Sequence, residues 1–157
     1  MTTRKIWVDA DACPRAVKAV IFRAAERTRT PTLLLANQML PTPPSAYIRA
    51  EQVAAGMDVA DHVILARIQP GDLVITADIP LAAQVVSRQA WALNPRGEWY
   101  TEQNVGSLLS VRNFMQDLRD AGQQTGGPPA LHARDVQRFA SALDHWLAKP
   151  SFLLKGH

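Results

Sequence analysis

The sequence predicts an α/β fold, a mostly parallel sheet covered on both faces by helices. Two observations carry that expectation. Short apolar runs bounded by turn residues alternate with segments whose apolar residues recur at helical spacing. The 157 residues match one ordinary domain, with hydrophobic residues at 47% and charged residues at 20%, a composition able to bury a core. That composition excludes wholesale disorder. A single cysteine, Cys13, excludes an internal disulfide framework. No run approaches the roughly 18 apolar residues of a membrane span, and the first residues lack an apolar leader, so a cytoplasmic location is expected.

Each element follows from local chemistry. Residues 5–8 form an apolar run that stops at Asp9, the first strand. Pro14 suits the first turn of a helix. Val17, Val20, Ile21, Ala24 and Ala25 follow at helical spacing, until Thr30-Pro31 breaks it. Residues 32–36 (TLLLA) read as a buried strand ending at Asn37, and the proline-rich residues 40–45 (LPTPPS) as a loop. Residues 47–53 suit a strand and 57–68 a helix ending at the Pro70-Gly71 turn. Residues 72–76 (DLVIT) are the clearest buried strand, followed by Asp78. Pro80 opens a helix with Leu81, Val85 and Val86 inward. Residues 90–93 form a short strand ending at Asn94, before the turn Pro95-Arg96-Gly97. From about residue 103 the chain turns helical, with Leu108, Val111, Met115 and Leu118 on one face and Gly122 as the stop. Residues 123–130 (QQTGGPPA) read as a loop and 134–147 as a last helix. The expectation is one domain over 1–148, helical from about 103, with 149–157 a mobile tail.

In such folds ligands sit outside the carboxyl ends of the strands. Asp9, Asp11 and Asp78 fall just past strand ends, and Asn37 and Asn94 close two other strands. Asp58 and Asp61, three apart at a helix start, project from one face. Five carboxylates in one place need a counter-charge. Magnesium or manganese supplies it through oxygen ligands and activates water for phosphodiester cleavage. The expected metal ligands are Asp9, Asp61 and Asp78; the expected catalytic set is Asp9, Asp11, Asp58, Asp61 and Asp78. Asn37, Thr76, Asn94 and Arg96 are expected to contact substrate, with Arg96 on phosphate. Each acid also has a structural reading. Asp11, Asp58, Asp61 and Asp78 can each cap a helix, and Asp72 reads as a turn residue at the opposite edge.

The net charge is +3 with a pI near 9.4, unevenly spread. Residues 1–50 hold eight basic and three acidic residues, and residues 51–100 three basic and six acidic. A basic chain with clustered acids suits a polyanion and a metal. A helix start lowers the Cys13 thiol pKa and nearby carboxylates raise it. The four histidines lack ligand spacing such as H-E-x-x-H. Trp99 and Tyr100 offer rings that either stack a base or pack against the C-terminal helices.

Five ordered stretches, VDADACP (8–14), AAGMDVADHVI (54–64), GDLVITADIPLA (71–82), LNPRGEWYT (93–101) and TGGPPALHARDVQRFA (125–140), resemble those of the YaiI/YqxD family of bacterial proteins. The likeness spans residues 5–147. That family in turn resembles the PIN-like nucleases, including the NYN branch. The resemblance implies a three-layer α/β/α sandwich with added C-terminal helices and a metal-dependent ribonuclease activity. An Asp after the first strand is matched by Asp9, an acid pair opening a mid-chain helix by Asp58 and Asp61, and a Thr-x-Asp after a later strand by Thr76 and Asp78. Many PIN domains also carry a Glu in an early helix, a place Glu26 does not fill. Three functions follow: a metal-dependent nuclease on RNA, a PIN-like module that binds RNA or a partner without cutting, and a haloacid-dehalogenase-like phosphatase suggested by Asp9-Ala10-Asp11.

Overall fold

The computed structural model describes residues 4–56, 58–122 and 130–149. The predicted loop at 123–130 and tail at 149–157 lie almost wholly outside the described residues, as does Met57 at the expected helix start. Six strands form one sheet: β1 (Ile6–Asp9), β2 (Thr32–Ala36), β3 (Ile48–Gln52), β4 (Leu73–Ile75), β5 (Trp91–Leu93) and β6 (Trp99–Tyr100). Their order is β3-β2-β1-β4-β5-β6. The first five are parallel, and β6 runs antiparallel to β5. The central strands are nearly all aliphatic because helices cover both their faces.

Alternation along β1 sorts the core into two layers. Ile6 and Val8 pack with Val17 and Ile21 of α1 (Arg15–Thr28) and with Phe139, Leu143 and Trp146 of α5 (Ala133–Ala148). Trp7 faces the other way, with Ile64 of α2 (Val59–Arg67) and with Leu81, Val85 and Val86 of α3 (Ile79–Ser87). The result is the predicted α/β/α sandwich. α4 (Glu102–Asp120) starts at a capping box in which Thr101 Oγ1 accepts from Asn104 N at 3.2 Å and Asn104 Oδ1 accepts from Thr101 N at 2.9 Å. None of its residues is buried, and Val111 and Phe114 are 54% and 59% exposed.

Three features depart from the sequence reading. Trp99-Tyr100 is a strand, too short for periodicity to reveal. Trp99 stacks edge-on against Trp91, ring centroids 5.7 Å apart, and packs on the layer that holds α5. Asp72 does more than turn the chain. It is 1% exposed and accepts hydrogen bonds from Lys5 N (3.0 Å), Trp7 Nε1 (2.9 Å) and Gln69 N (3.0 Å), tying β1 to β4 at the amino edge of the sheet. Gly97, with φ +88°, sits so close to α5 that a Cβ there would lie 2.6 Å from Arg138 C and Phe139 N. The β5–β6 turn is therefore docked on α5 by a residue that must lack a side chain.

Candidate metal centre

Each acid reaches the carboxyl edge by a different local device. Asp9 ends β1 and is half-buried. Its Oδ2 accepts a hydrogen bond from Thr76 Oγ1 at 3.0 Å. The same hydroxyl accepts from Asp78 N, also at 3.0 Å. Thr76 is 1% exposed, so its one hydroxyl fixes Asp9 relative to Asp78 from inside the fold. Asp78 caps α3: its Oδ1 accepts from Leu81 N at 2.9 Å, with Pro80 in the first turn. The capping role read from the sequence is thus present and uses one oxygen of the carboxylate.

Asp58 precedes α2 in the left-handed region, φ 64° and ψ 11°, a conformation costly for most side chains other than glycine. Its side chain makes no capping bond. It joins Asp61, in the first turn of α2, and Asp78: one carboxylate oxygen of each lies within 4.8 Å of the other two. This trio shares Asp61 and Asp78 with the expected ligand set. Asp58 is its third member, and Asp9, the other expected ligand, stands alongside through Thr76.

Crowded acids raise one another's pKa. The Asp61 carboxyl is pushed up to about 7 by burial first, then by the charges of Asp78, Asp9 and Asp58. Burial also raises Asp9; the Thr76 hydroxyl opposes that shift, and Asp78 and Asp11 add to it. Carboxylate oxygens this close form a donor set suited to a hard divalent cation, whose charge would offset their mutual repulsion. The geometry fits such an ion, whose ligands stand about 2.0–2.6 Å from it.

The remaining predicted residues have protein partners. Asp11 is exposed on a 3-10 turn (Ala10–Ala12), and both its oxygens accept from Asn37 N, at 3.2 and 3.0 Å. Asn37 O in turn accepts from Gln52 Nε2 at 3.2 Å. Asn94 closes the β5–β6 turn: Oδ1 accepts from Arg96 N at 2.7 Å and Nδ2 donates to the Tyr100 hydroxyl at 3.1 Å. Arg96 pairs with Asp135 of α5 at 2.9 Å. A phosphate would have to compete with that ion pair. Cys13 is buried, and burial pushes its thiol up to about 12, which disfavours the reactive thiolate.

Beside Asp78, a cavity of about 290 Å³ opens between β6 and α4. Ala77, Asn94, Tyr100, Asn104, Ser107 and Leu108 line it. The sequence reading passed over Asn104 and Ser107; their i, i+3 spacing on α4 was the available signal.

The family model described as "Uncharacterized BCR, YaiI/YqxD family" matches residues 7–149. A UPF0178 protein of Dechloromonas aromatica is 61% identical over 145 residues, 92% of this chain and 97% of its own length. One from Cronobacter sakazakii is 60% identical over 143 residues, 91% and 95% of the two chains. One from Hahella chejuensis is 56% identical over 147 residues, 94% and 98%. No solved structure matches the chain significantly. With nearly its whole length matched, this chain belongs to the YaiI/YqxD family.

Proposed function

We propose that the protein is a metal-dependent phosphodiester hydrolase acting on RNA. The observation that carries this reading is the trio Asp58, Asp61 and Asp78, with ligand oxygens within 4.8 Å of one another at the carboxyl edge of a parallel sheet. The resemblance of the family to PIN-like nucleases supports it. Asp58, Asp61 and Asp78 would hold Mg2+ or Mn2+, with Asp9 beside them. A bound divalent cation lowers the pKa of its water and offsets charge developing on a phosphoryl group. Thr76 keeps Asp9 and Asp78 in register, and the cavity lined by Asn94 and Tyr100 offers a place for the nucleoside flanking the reacting phosphate. Asp11 is occupied by the Asn37 amide, which weighs against its serving as the acid of a haloacid-dehalogenase-like phosphatase.

A second reading is a module that binds RNA or a partner without cutting it. It is favoured by Glu26, whose carboxylate accepts from Ser45 late in α1 instead of joining the acids. Single-stranded RNA incubated with wild type and Asp9→Asn in Mn2+ separates the two. The hydrolase reading expects cleavage by wild type and loss of at least a hundredfold in Asp9→Asn, whose amide oxygen still accepts from Thr76. The Asn removes one charge from a crowded acid group, so the metal-free variant should melt no lower than wild type. RNA held but left intact across several sequences establishes the binding module in its place.

A further inference from the structure

The carboxyl-edge acids share a face of the sheet with a basic trough. α2 packs against β1 and buries Leu35 of β2 with it, leaving Leu33 partly covered and Arg49 and Glu51 of β3 exposed on the same face. There a cavity of about 280 Å³ is lined by Lys5, Trp7, Tyr47, Arg49, Glu51 and Arg67, among others. Trp7 pairs in register with Leu33, and Leu33 with Arg49. Asp9 is two residues beyond Trp7 and so lies on the same face, about 7 Å further along the strand. α2 connects the two places as well. It carries Asp61 in its first turn and Arg67 in its last, about 9 Å apart along the axis.

Charge in the trough is not self-cancelling. Arg67 is paired with Glu51 at 2.8 Å and lies 5.3 Å from the Trp7 ring centre, so those two charges are balanced. Among the described residues, Lys5 Nζ and the Arg49 guanidinium have neither a hydrogen-bond nor an ion-pair partner. Both residues are exposed. Tyr47, half-buried in the same lining, adds a ring of the kind on which a base stacks. Two uncompensated cations beside aromatic rings match the spaced phosphates and bases of a flexible nucleic-acid strand.

We infer that this trough is an exosite for single-stranded RNA, holding the strand that leads away from the acid centre, with Lys5 and Arg49 on its phosphates and Tyr47 against a base. The inference rests on the hydrolase reading for the identity of the ligand but not for its test. Binding of a fluorescent oligouridylate is followed by anisotropy in EDTA across a salt series, for wild type and the Lys5→Ala/Arg49→Ala double variant. The double variant should bind several-fold more weakly at 0.1 M salt, roughly the physiological range. Its log–log salt dependence should flatten by about 1.4, the value for two lost single-strand contacts. The Lys5→Arg/Arg49→Lys variant should restore both. Because both side chains are exposed, all variants should melt with wild type. No binding by wild type, or equal affinity and slope in the double variant, overturns the exosite. In the latter case Arg49 serves only to keep the edge strand β3 from pairing with other chains. Weakened binding with no RNA cut in Mn2+ leaves the exosite standing and defeats the hydrolase. Cleavage with unweakened binding does the reverse.

Discussion

At the scale of single residues, two carboxylates of this chain show opposite uses of burial. Asp61 is raised to about 7 by burial and by three neighbouring acids. A carboxyl whose folded pKa lies above its unfolded value, about 3.9, binds its proton more tightly in the folded state. Its contribution to stability is therefore complete below about pH 4 and is lost as pH rises through about 7. Metal-free wild type should lose stability between pH 5 and 7.5 relative to Asp61→Asn, which has no such proton to lose. Melting temperatures of the two, compared in EDTA across that window, give the difference directly; parallel pH curves would show that Asp61 is not coupled to its neighbours. Asp72 is the contrasting case, a buried carboxylate satisfied by three N–H donors. Asp72→Ala leaves all three without an acceptor and should cost about 3 kcal/mol or more in denaturant unfolding, with no effect on manganese binding. The sequence showed Asp72 only as a turn residue because two of its partners lie at Lys5 and Trp7, far away in the chain.

At the scale of elements, the strands and helices whose apolar residues repeat over two turns or several alternations were legible, with ends displaced by a residue or two. β6 was not, because two residues carry no period and Trp99-Tyr100 is made a strand by pairing with Ala92 and Leu93. The helical reading of α4 was sound for its spacing, but Val111 and Phe114 stand exposed because α4 packs chiefly along α3 through its earlier residues, such as Leu108. The joint between the β5–β6 turn and α5 was likewise invisible, since it depends on backbone contact. Gly97→Ala places a Cβ against the backbone of Arg138 and Phe139 at a positive φ. It should destabilise the fold by about 2 kcal/mol or more, measured by urea denaturation. Arg96 belongs to the same joint. Arg96→Ala should lower the melting temperature by releasing Asp135, whose carboxyl is held low by the His132 amide and by Arg96. Loss of RNA affinity with unchanged melting would instead return Arg96 to the phosphate contact read from the sequence.

At the scale of the whole molecule, the parallel topology explains why the candidate site could be read in outline. Strands that run the same way bring their ends to one edge, so acids placed after β1, before α2 and after β4 meet although far apart in sequence. The assignment of roles was less legible. Which acids form the tightest group depends on the left-handed turn at Asp58 and on the Thr76 hydroxyl between Asp9 and Asp78, and neither is written in residue spacing. Asp11 lies at the predicted edge and accepts from the main-chain N–H of Asn37. The central claim is that this edge holds a divalent cation through Asp58, Asp61 and Asp78. Thermal melting of wild type and Asp61→Asn over a manganese titration at pH 7.5 tests it most directly. Ligand binding to the folded state alone raises stability with the logarithm of free ligand once the dissociation constant is exceeded. The wild-type melting temperature should climb steadily with manganese while that of Asp61→Asn stays flat; a wild-type melting temperature that does not respond to manganese would contradict the metal centre.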